Sequence, residues 1–262
     1  MVAQVPARRR SRGIFFRQSS TRGTHVPARI EKSGFWVMVT ALIFYPLSWI
    51  GKTVSVGGER IRREGGVLLV MNHVSHLDPP VDAVFVHRQG RVPRFLAKES
   101  LFRVPVFKYL IGGAGSIPVA RRSAGAGESL TAANEALRSG KLVIIYPEGT
   151  ITKDPDGWPM RSRTGVARLA LENDVPVVPA ARWGTNHIFD GYSKKFRPFP
   201  RKKVHIRLGE PVDLSAYRDR PMTNELLREV TDLLMVKVRD ELAEIRQEPA
   251  PSEFYVARRT VE

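Results

Sequence analysis

The chain has no cysteine among its 262 residues. That single absence removes disulfides, thiolate zinc sites, iron–sulfur clusters and a cysteine nucleophile, and it fits a reducing compartment. Acidic residues are also scarce: 26 Asp and Glu stand against 42 Lys and Arg, a formal charge of +16. No apolar run reaches the ~20 residues that a membrane span requires, which excludes a multi-span membrane protein. There is no internal repeat, no HExxH, no G-x-S-x-G elbow, and no P-loop, zinc-finger or RNA-recognition signature. What remains is a chain with 42% hydrophobic residues, including 12 Phe and 4 Trp, enough to fill a sizeable core. A wholly disordered protein is excluded on the same ground.

An excess of +16 calls for an anionic partner, and the charge lies in three separated patches. Residues 1–34 carry seven Arg and Lys32 against Glu31 alone, a second stretch runs from Arg91 to Arg122 with only Glu99 opposing, and a third from Ser193 to Arg207 meets no acid. Such a distribution suits a surface facing something negative better than one helix that reads DNA, so no specific nucleic acid is expected. Residues 1–34 read as a basic flexible arm. Phe35 to Ile50 is an uncharged segment, FWVMVTALIFYPLSWI, bounded by Gly34 and Gly51 and interrupted by Pro46. It is either a buried core helix or, the preferred reading, a helix or hairpin over 35–51 that dips into one leaflet. Trp36, Tyr45 and Trp49 would then sit near the headgroups. The basic arm would stay on the anionic, cytoplasmic side of the cell membrane, leaving the protein peripheral or monotopic on inner-leaflet lipids.

From residue 52 to 246 strand and helix patterns alternate. Apolar runs Val67–Met71, Ser116–Val119, Leu142–Tyr146, Val175–Ala181 and Val204–Leu208 predict strands, and Pro79–His87, Val104–Ile111, Glu128–Ser139 and Gly165–Glu172 predict helices between them. Glu225 to Ile245 repeats its apolar residues at helical spacing and predicts a core-facing helix. The fold class is therefore α/β, a single domain with a central mostly parallel or mixed sheet flanked by helices and preceded by the membrane-associating helix. Residues 247–262 read as a frayed tail.

The polar turns at strand ends carry the chemistry. Val67–Met71 runs into Asn72-His73-Val74-Ser75-His76-Leu77-Asp78-Pro79-Pro80, where Pro79 suits a first helical position and makes Asp78 its cap. The loop lets the Asp78 carboxylate turn back to the His73 ring, fix its tautomer and leave the other nitrogen as a general base. An aspartate that only caps a helix beside a satisfied polar histidine would give the same local pattern. Leu142–Tyr146 runs into Pro147-Glu148-Gly149-Thr150, and Ser116–Val119 leads to Arg121, a guanidinium suited to phosphate. Ligands of open α/β sheets gather at the carboxyl ends of strands.

These blocks, NHVSHLDPP, GSIPVAR, YPEGT and VPVVPA in that order, resemble those of the glycerolipid acyltransferases of the 1-acylglycerol-3-phosphate acyltransferase type; AKESLF at 97–102 and RTGVARLA at 163–170 are also similar. The resemblance implies transfer of a fatty acyl group from an acyl-CoA or acyl carrier protein thioester to a lysophospholipid hydroxyl, most directly 1-acylglycerol-3-phosphate to phosphatidic acid, without a resident cofactor or metal. His73 would then take the hydroxyl proton and Asp78 would steady the imidazolium; no covalent intermediate is needed. By the same resemblance Arg121, Glu148, Gly149 and Thr150 belong to acceptor binding. Lys98, just after Phe95-Leu96-Ala97, is a further cation suited to a phosphate. The family's third block usually continues with an arginine tied to the acceptor's phosphate, and this chain has Ile151 there. Either another cation substitutes, Arg161 and Arg163 being nearest, or the acceptor is a different glycerolipid or glycolipid.

Two readings of other classes compete. A metal-dependent hydrolase could use His73, His76 and Asp78 as ligands, although the remaining histidines show no ligand spacing. A non-enzymatic basic protein binding a membrane or nucleic acid would explain the charge but not the ordered blocks.

Overall fold

The computed structural model describes residues 31, 33–119 and 125–257. Helix α1 is Phe35–Trp49, and seven strands follow: β1 Lys52–Val56, β2 Val67–Met71, β3 Pro93–Lys98, β4 Ile117–Val119, β5 Leu142–Ile145, β6 Val177–Trp183 and β7 Lys203–Leu208. The remaining α-helices are α2 Asp78–Arg88, α3 Pro105–Phe107, α4 Gly125–Arg138, α5 Gly165–Glu172, α6 Thr185–Ile188, α7 Ser215–Arg218 and α8 Asn224–Arg246.

The strands form one sheet in the order β1-β7-β6-β2-β5-β3-β4. All neighbouring pairs are parallel except β6–β7, so the expected mixed sheet is present. Alternation along each strand sends side chains to opposite faces. On one face Leu68, Val70, Val143 and Val177 pack under α4, α5 and α8; on the other Val67, Leu69, Met71 and Ile144 pack under α2. Helix α8 buries Leu226, Val230, Leu234, Val238 and Leu242, one stripe at helical spacing. Its N-terminus is capped by Thr223, whose side chain accepts from the Leu226 N–H at 3.2 Å.

Several expectations need correction. Strands β1 and β3 carry too few consecutive apolar residues to stand out, since β1 is largely exposed and β3 alternates. The helix expected over Val104–Ile111 is present, α-helical over Pro105–Phe107 (α3) and widened to a π-helix over Lys108–Gly112. Helix α2 starts at Asp78 itself, with Leu77 at the preceding position and no side-chain cap, because the Asp78 carboxylate is used elsewhere. The described part of the tail is docked rather than frayed. Arg161 N–H donates to Tyr255 O at 2.9 Å, Arg239 donates to Ser252 O at 3.1 Å, and the Arg239 guanidinium lies over the Phe254 ring. Residues 1–30, 32 and Arg121 lie outside the described residues. At the end of the predicted arm, Glu31 accepts from Val92 N–H at 3.1 Å and Lys141 at 3.2 Å. Burial opposes ionisation of Glu31, but the Val92 N–H and the charges of Arg94 and Lys141 outweigh it and hold its carboxyl below the usual range.

Candidate active site

The parallel strands β2, β3, β4, β5 and β6 all end at one edge of the sheet, so the turns that follow them converge there. His73 follows β2, Glu148 to Thr150 follow β5, and Arg182 and Thr185 sit at the end of β6 and the start of α6. Lys98 ends β3 and is exposed; its register partner is Val119, which ends β4.

His73 Nδ1 lies 2.7 Å from Asp78 Oδ2. The same oxygen accepts from Val74 N–H at 2.7 Å and Ser75 N–H at 2.8 Å, so the loop wraps around a fully buried carboxylate. Asp78 Oδ1 accepts from the Thr185 hydroxyl and faces Arg182 Nε at 2.9 Å. The guanidinium is itself fully buried; it donates through Nη1 to Asp82 and through Nη2 to Asn72 O at 2.9 Å. Tyr146 donates to the same Asp82 oxygen at 2.6 Å, and its ring stacks on His73 with centroids 4.6 Å apart. A continuous chain of contacts therefore runs His73–Asp78–Arg182–Asp82–Tyr146 and returns to the His73 ring.

The charges in this ring divide unequally. Burial opposes ionisation of Asp78, but the Arg182 guanidinium and His73 hold its carboxyl below the usual range. At Asp82 burial wins, and despite Arg182 the carboxyl is pushed up to about 7. Burial and the Asp82 charge push the Tyr146 phenol well up, so it stays a neutral donor. An ionised Asp78 requires the proton of His73 on Nδ1, which leaves Nε2 as the basic nitrogen.

Glu148 is not free to meet an acceptor as the resemblance implied. It is buried, and its oxygens accept from His73 N–H at 2.9 Å and Met160 N–H at 3.0 Å. It braces the backbone of the catalytic turn against residues 160–163, and burial pushes its carboxyl up to about 8. Gly149 has φ 73°, a left-handed conformation that glycine adopts without strain, and a side chain there would approach Arg163 Nε to 3.2 Å. Ile151 is buried, directly beneath Gly191. Arg161 and Arg163 are both exposed, and Arg163 is the one beside the Gly149 turn.

His73, His76, Gly149, Thr150 and Ile151 are among the residues lining a cavity of about 670 Å³. Its walls are apolar: Phe44 and Leu47 from α1, Val84 from α2, Phe95 and Leu96 from β3, Phe107 and Ile111 from the following segment. Lys98 also lines it, and His87 and Tyr45, joined by a 3.0 Å hydrogen bond, are among its walls. Among the described residues no three His, Asp or Glu side chains converge as a metal site. Ser75 donates to Phe189 O at 2.7 Å, so it supports the loop and is not a paired nucleophile.

Residues 53–183 match the Acyltransferase family. The chain belongs to that family. It is 29% identical over 156 residues to the 1-acyl-sn-glycerol-3-phosphate acyltransferase of Borreliella burgdorferi, a match covering 59% of this chain and 60% of that protein. It is 23% identical over 232 residues to the yeast 1-acyl-sn-glycerol-3-phosphate acyltransferase of Saccharomyces cerevisiae, covering 86% of this chain and 72% of the relative. The crystal structure of PlsC from Thermotoga maritima, a 1-acyl-sn-glycerophosphate acyltransferase, superposes with a TM-score of 0.60 at 27% identity, over 82% of this chain and 81% of that one. The chain thus spans about three fifths of the length of the Borreliella relative.

Sequence reasoning placed His73, Asp78, Gly149, Thr150 and Lys98 around this site but missed Arg182, Asp82, Tyr146 and Thr185. A signal was available for two of them. Arg182 is a lone charge in an otherwise apolar strand, and Asp82 stands four residues after Asp78 on the same face of α2.

Proposed function

We propose that the protein transfers a fatty acyl group from an acyl-CoA or acyl carrier protein thioester to the hydroxyl of a lysophospholipid, 1-acylglycerol-3-phosphate in the first instance, giving phosphatidic acid. The observation that carries this reading is a His–Asp pair, with one imidazole nitrogen engaged, whose histidine lines a largely apolar cavity. The cavity is of the size that encloses a small-molecule ligand, and its apolar walls suit an acyl chain rather than a sugar or nucleotide.

The chemistry follows from the geometry. His73 Nε2 takes the proton of the acceptor hydroxyl as the oxygen attacks the thioester carbonyl carbon. Asp78, held ionised by Arg182, stabilises the imidazolium that forms. Collapse of the tetrahedral intermediate breaks the C–S bond, and His73 returns its proton to the departing thiolate. The ester is formed and the thiol released with no net proton change on the protein.

The reading also places the site at a lipid surface. Helix α1 has 15 residues, about 22 Å at 1.5 Å per residue, short of the ~30 Å hydrocarbon core. No described helix is long and apolar enough to cross a membrane. Yet α1 is turned inside out: its buried residues are Thr40 and Ser48, while Phe35, Leu42 and Trp49 are 72%, 77% and 60% exposed. Val104, Val106, Phe107 and Tyr109 extend this exposed apolar surface, with Trp36 stacked on Tyr109. A leaflet is the environment in which such a helix loses its exposed apolar area. Inner-leaflet lipids on the cytoplasmic side of the cell membrane complement the basic patches.

The test is acyl transfer by the purified full chain in mixed micelles, with acyl-CoA and acyl carrier protein donors against glycerol-3-phosphate, 1-acylglycerol-3-phosphate and a neutral monoacylglycerol. Activity on the lysophospholipid, lost by roughly a hundred- to ten-thousand-fold in His73→Ala, is the expected result. Folded His73→Ala with wild-type turnover would remove the mechanism.

A further inference from the structure

A basic loop lies against the catalytic turns, and its attachment gives it a role. Residues 189–196 close on themselves through a bridge between Phe189 and Phe196, and Asp190 Oδ1 accepts from the N–H groups of Tyr192 at 2.8 Å and Ser193 at 3.1 Å. The loop is fixed to both strand ends that carry the site. Ser75 donates to Phe189 O, Tyr192 donates to Ile151 O at 2.7 Å, and Gly191 sits on the Ile151 side chain. It therefore keeps its position relative to His73.

At its tip Lys194 adopts φ 57°, a left-handed conformation unusual for a lysine. There its ammonium donates to Gly191 O and reaches His76 Nε2 at 3.1 Å. His76 lines the cavity three positions after His73. A neutral imidazole is a weak partner for an ammonium, and among the described residues Lys194 pairs with no carboxylate. Lys195 and Arg197 add charge of the same sign, and no acid occurs from Ser193 to Arg207. The arrangement concentrates positive charge next to His76, a residue of the cavity wall three positions after the general base.

We propose that Lys194 and His76 form the binding site for the phosphate monoester of the acceptor, with Lys194 as its principal cation. This rests on the reading of the protein as an acyltransferase acting on a phosphorylated lysolipid. A dianionic phosphate offers Lys194 the charged acceptor that His76 does not, and the neutral His76 ring can add one N–H donor to it. The apolar tail of the acceptor then stays with lipid while its free hydroxyl is presented to His73.

The experiment compares 1-acylglycerol-3-phosphate with monoacylglycerol of the same chain length, using the full chain in mixed micelles and variants Lys194→Gln, Lys194→Gly, Lys194→Glu and Lys194→Arg. Lys194→Gly keeps the left-handed backbone and removes the charge, so it separates charge loss from a disturbed turn. Losing one charged hydrogen bond should raise KM for the phosphorylated acceptor about tenfold or more in the Gln and Gly variants, and further in Glu. Lys194→Arg should restore most of the affinity, and KM for the thioester should not move. An unchanged KM in a folded Lys194→Glu protein, or an equal rise for the neutral acceptor, overturns the proposal. Equilibrium dialysis of labelled 1-acylglycerol-3-phosphate below its micellar concentration gives a second readout. Binding that weakens in Lys194→Glu without any acyl transfer by the wild type would support the site and refute the acyltransferase reading. Transfer by the wild type with equal binding by Lys194→Glu would do the reverse.

Discussion

Replacing Arg182 with methionine tests whether the buried charge network serves the catalytic pair. Arg182 Nε lies 2.9 Å from Asp78 Oδ1, and both side chains are fully buried. At that distance, with an effective dielectric constant of about 20, the attraction is about 6 kcal/mol before the cost of burying both charges is counted. Asp78 is held below the usual carboxylate range against the opposing effect of burial, so losing this attraction raises the pKa of its carboxyl. Removing one partner of a buried pair costs about 3–5 kcal/mol of stability, and for a chain of this size Tm should fall by roughly 10 °C. The diagnostic readout is the pH profile of kcat. A carboxyl shifted upward stabilises the imidazolium over a narrower pH range, so the limb of the variant's profile that reports ionisation of Asp78 should move to higher pH than in the wild type. Adding Asp82→Asn should recover part of the stability, since one fewer carboxylate is left unpaired, without restoring the profile. A folded Arg182→Met enzyme with the wild-type pH profile and a lowered Tm would show that Arg182 is structural only.

Met38→Glu with Leu42→Glu on the exposed face of α1 should reduce co-sedimentation with anionic vesicles roughly tenfold or more per residue; undiminished binding after a high-salt wash would contradict a leaflet-facing helix. Asp82 and Glu148 have folded pKa values raised to about 7 and about 8, so the folded state binds more protons than the unfolded one between about pH 4 and 8. Stability should therefore fall as pH rises through that window, by at most about 1.4 kcal/mol per pH unit for each group, and Glu148→Gln should flatten its upper part; an unchanged slope between pH 6 and 8 in thermal unfolding would refute the raised Glu148 value.

The parts of the fold legible in the sequence are those where burial is two-sided or helical in period. Val67–Met71 is buried along its whole length and reads as a strand without ambiguity, and Gly165–Glu172 is bounded as its residues suggest. β1 was hidden because it is an exposed edge strand whose partner is 151 residues away, Thr53 pairing with Val204. Nothing local distinguishes Lys-Thr-Val-Ser-Val from a loop. The docked segment at 250–257 was hidden for a related reason: its attachment is made by backbone bonds and by Arg239 over Phe254, which leave no periodic trace.

The site shows the same division between local and distant information. The His73–Asp78 contact is a product of five residues of chain, so spacing alone could suggest it. The state of that contact is set from elsewhere, because Arg182 reaches Asp78 from a strand more than a hundred residues later. A buried arginine is costly unless paired, and its presence in an apolar strand is itself evidence that carboxylates await it. Asp82 answers part of that demand and Asp78 the rest, which is why a carboxylate shielded from water can remain charged beneath a histidine. Glu148 illustrates the converse. Its position in a recognisable block suggested contact with a substrate, whereas backbone N–H groups from two other segments occupy both its oxygens. Chemistry-bearing residue types in a motif thus include some that hold the turn in shape, and only the partners of each oxygen distinguish the two.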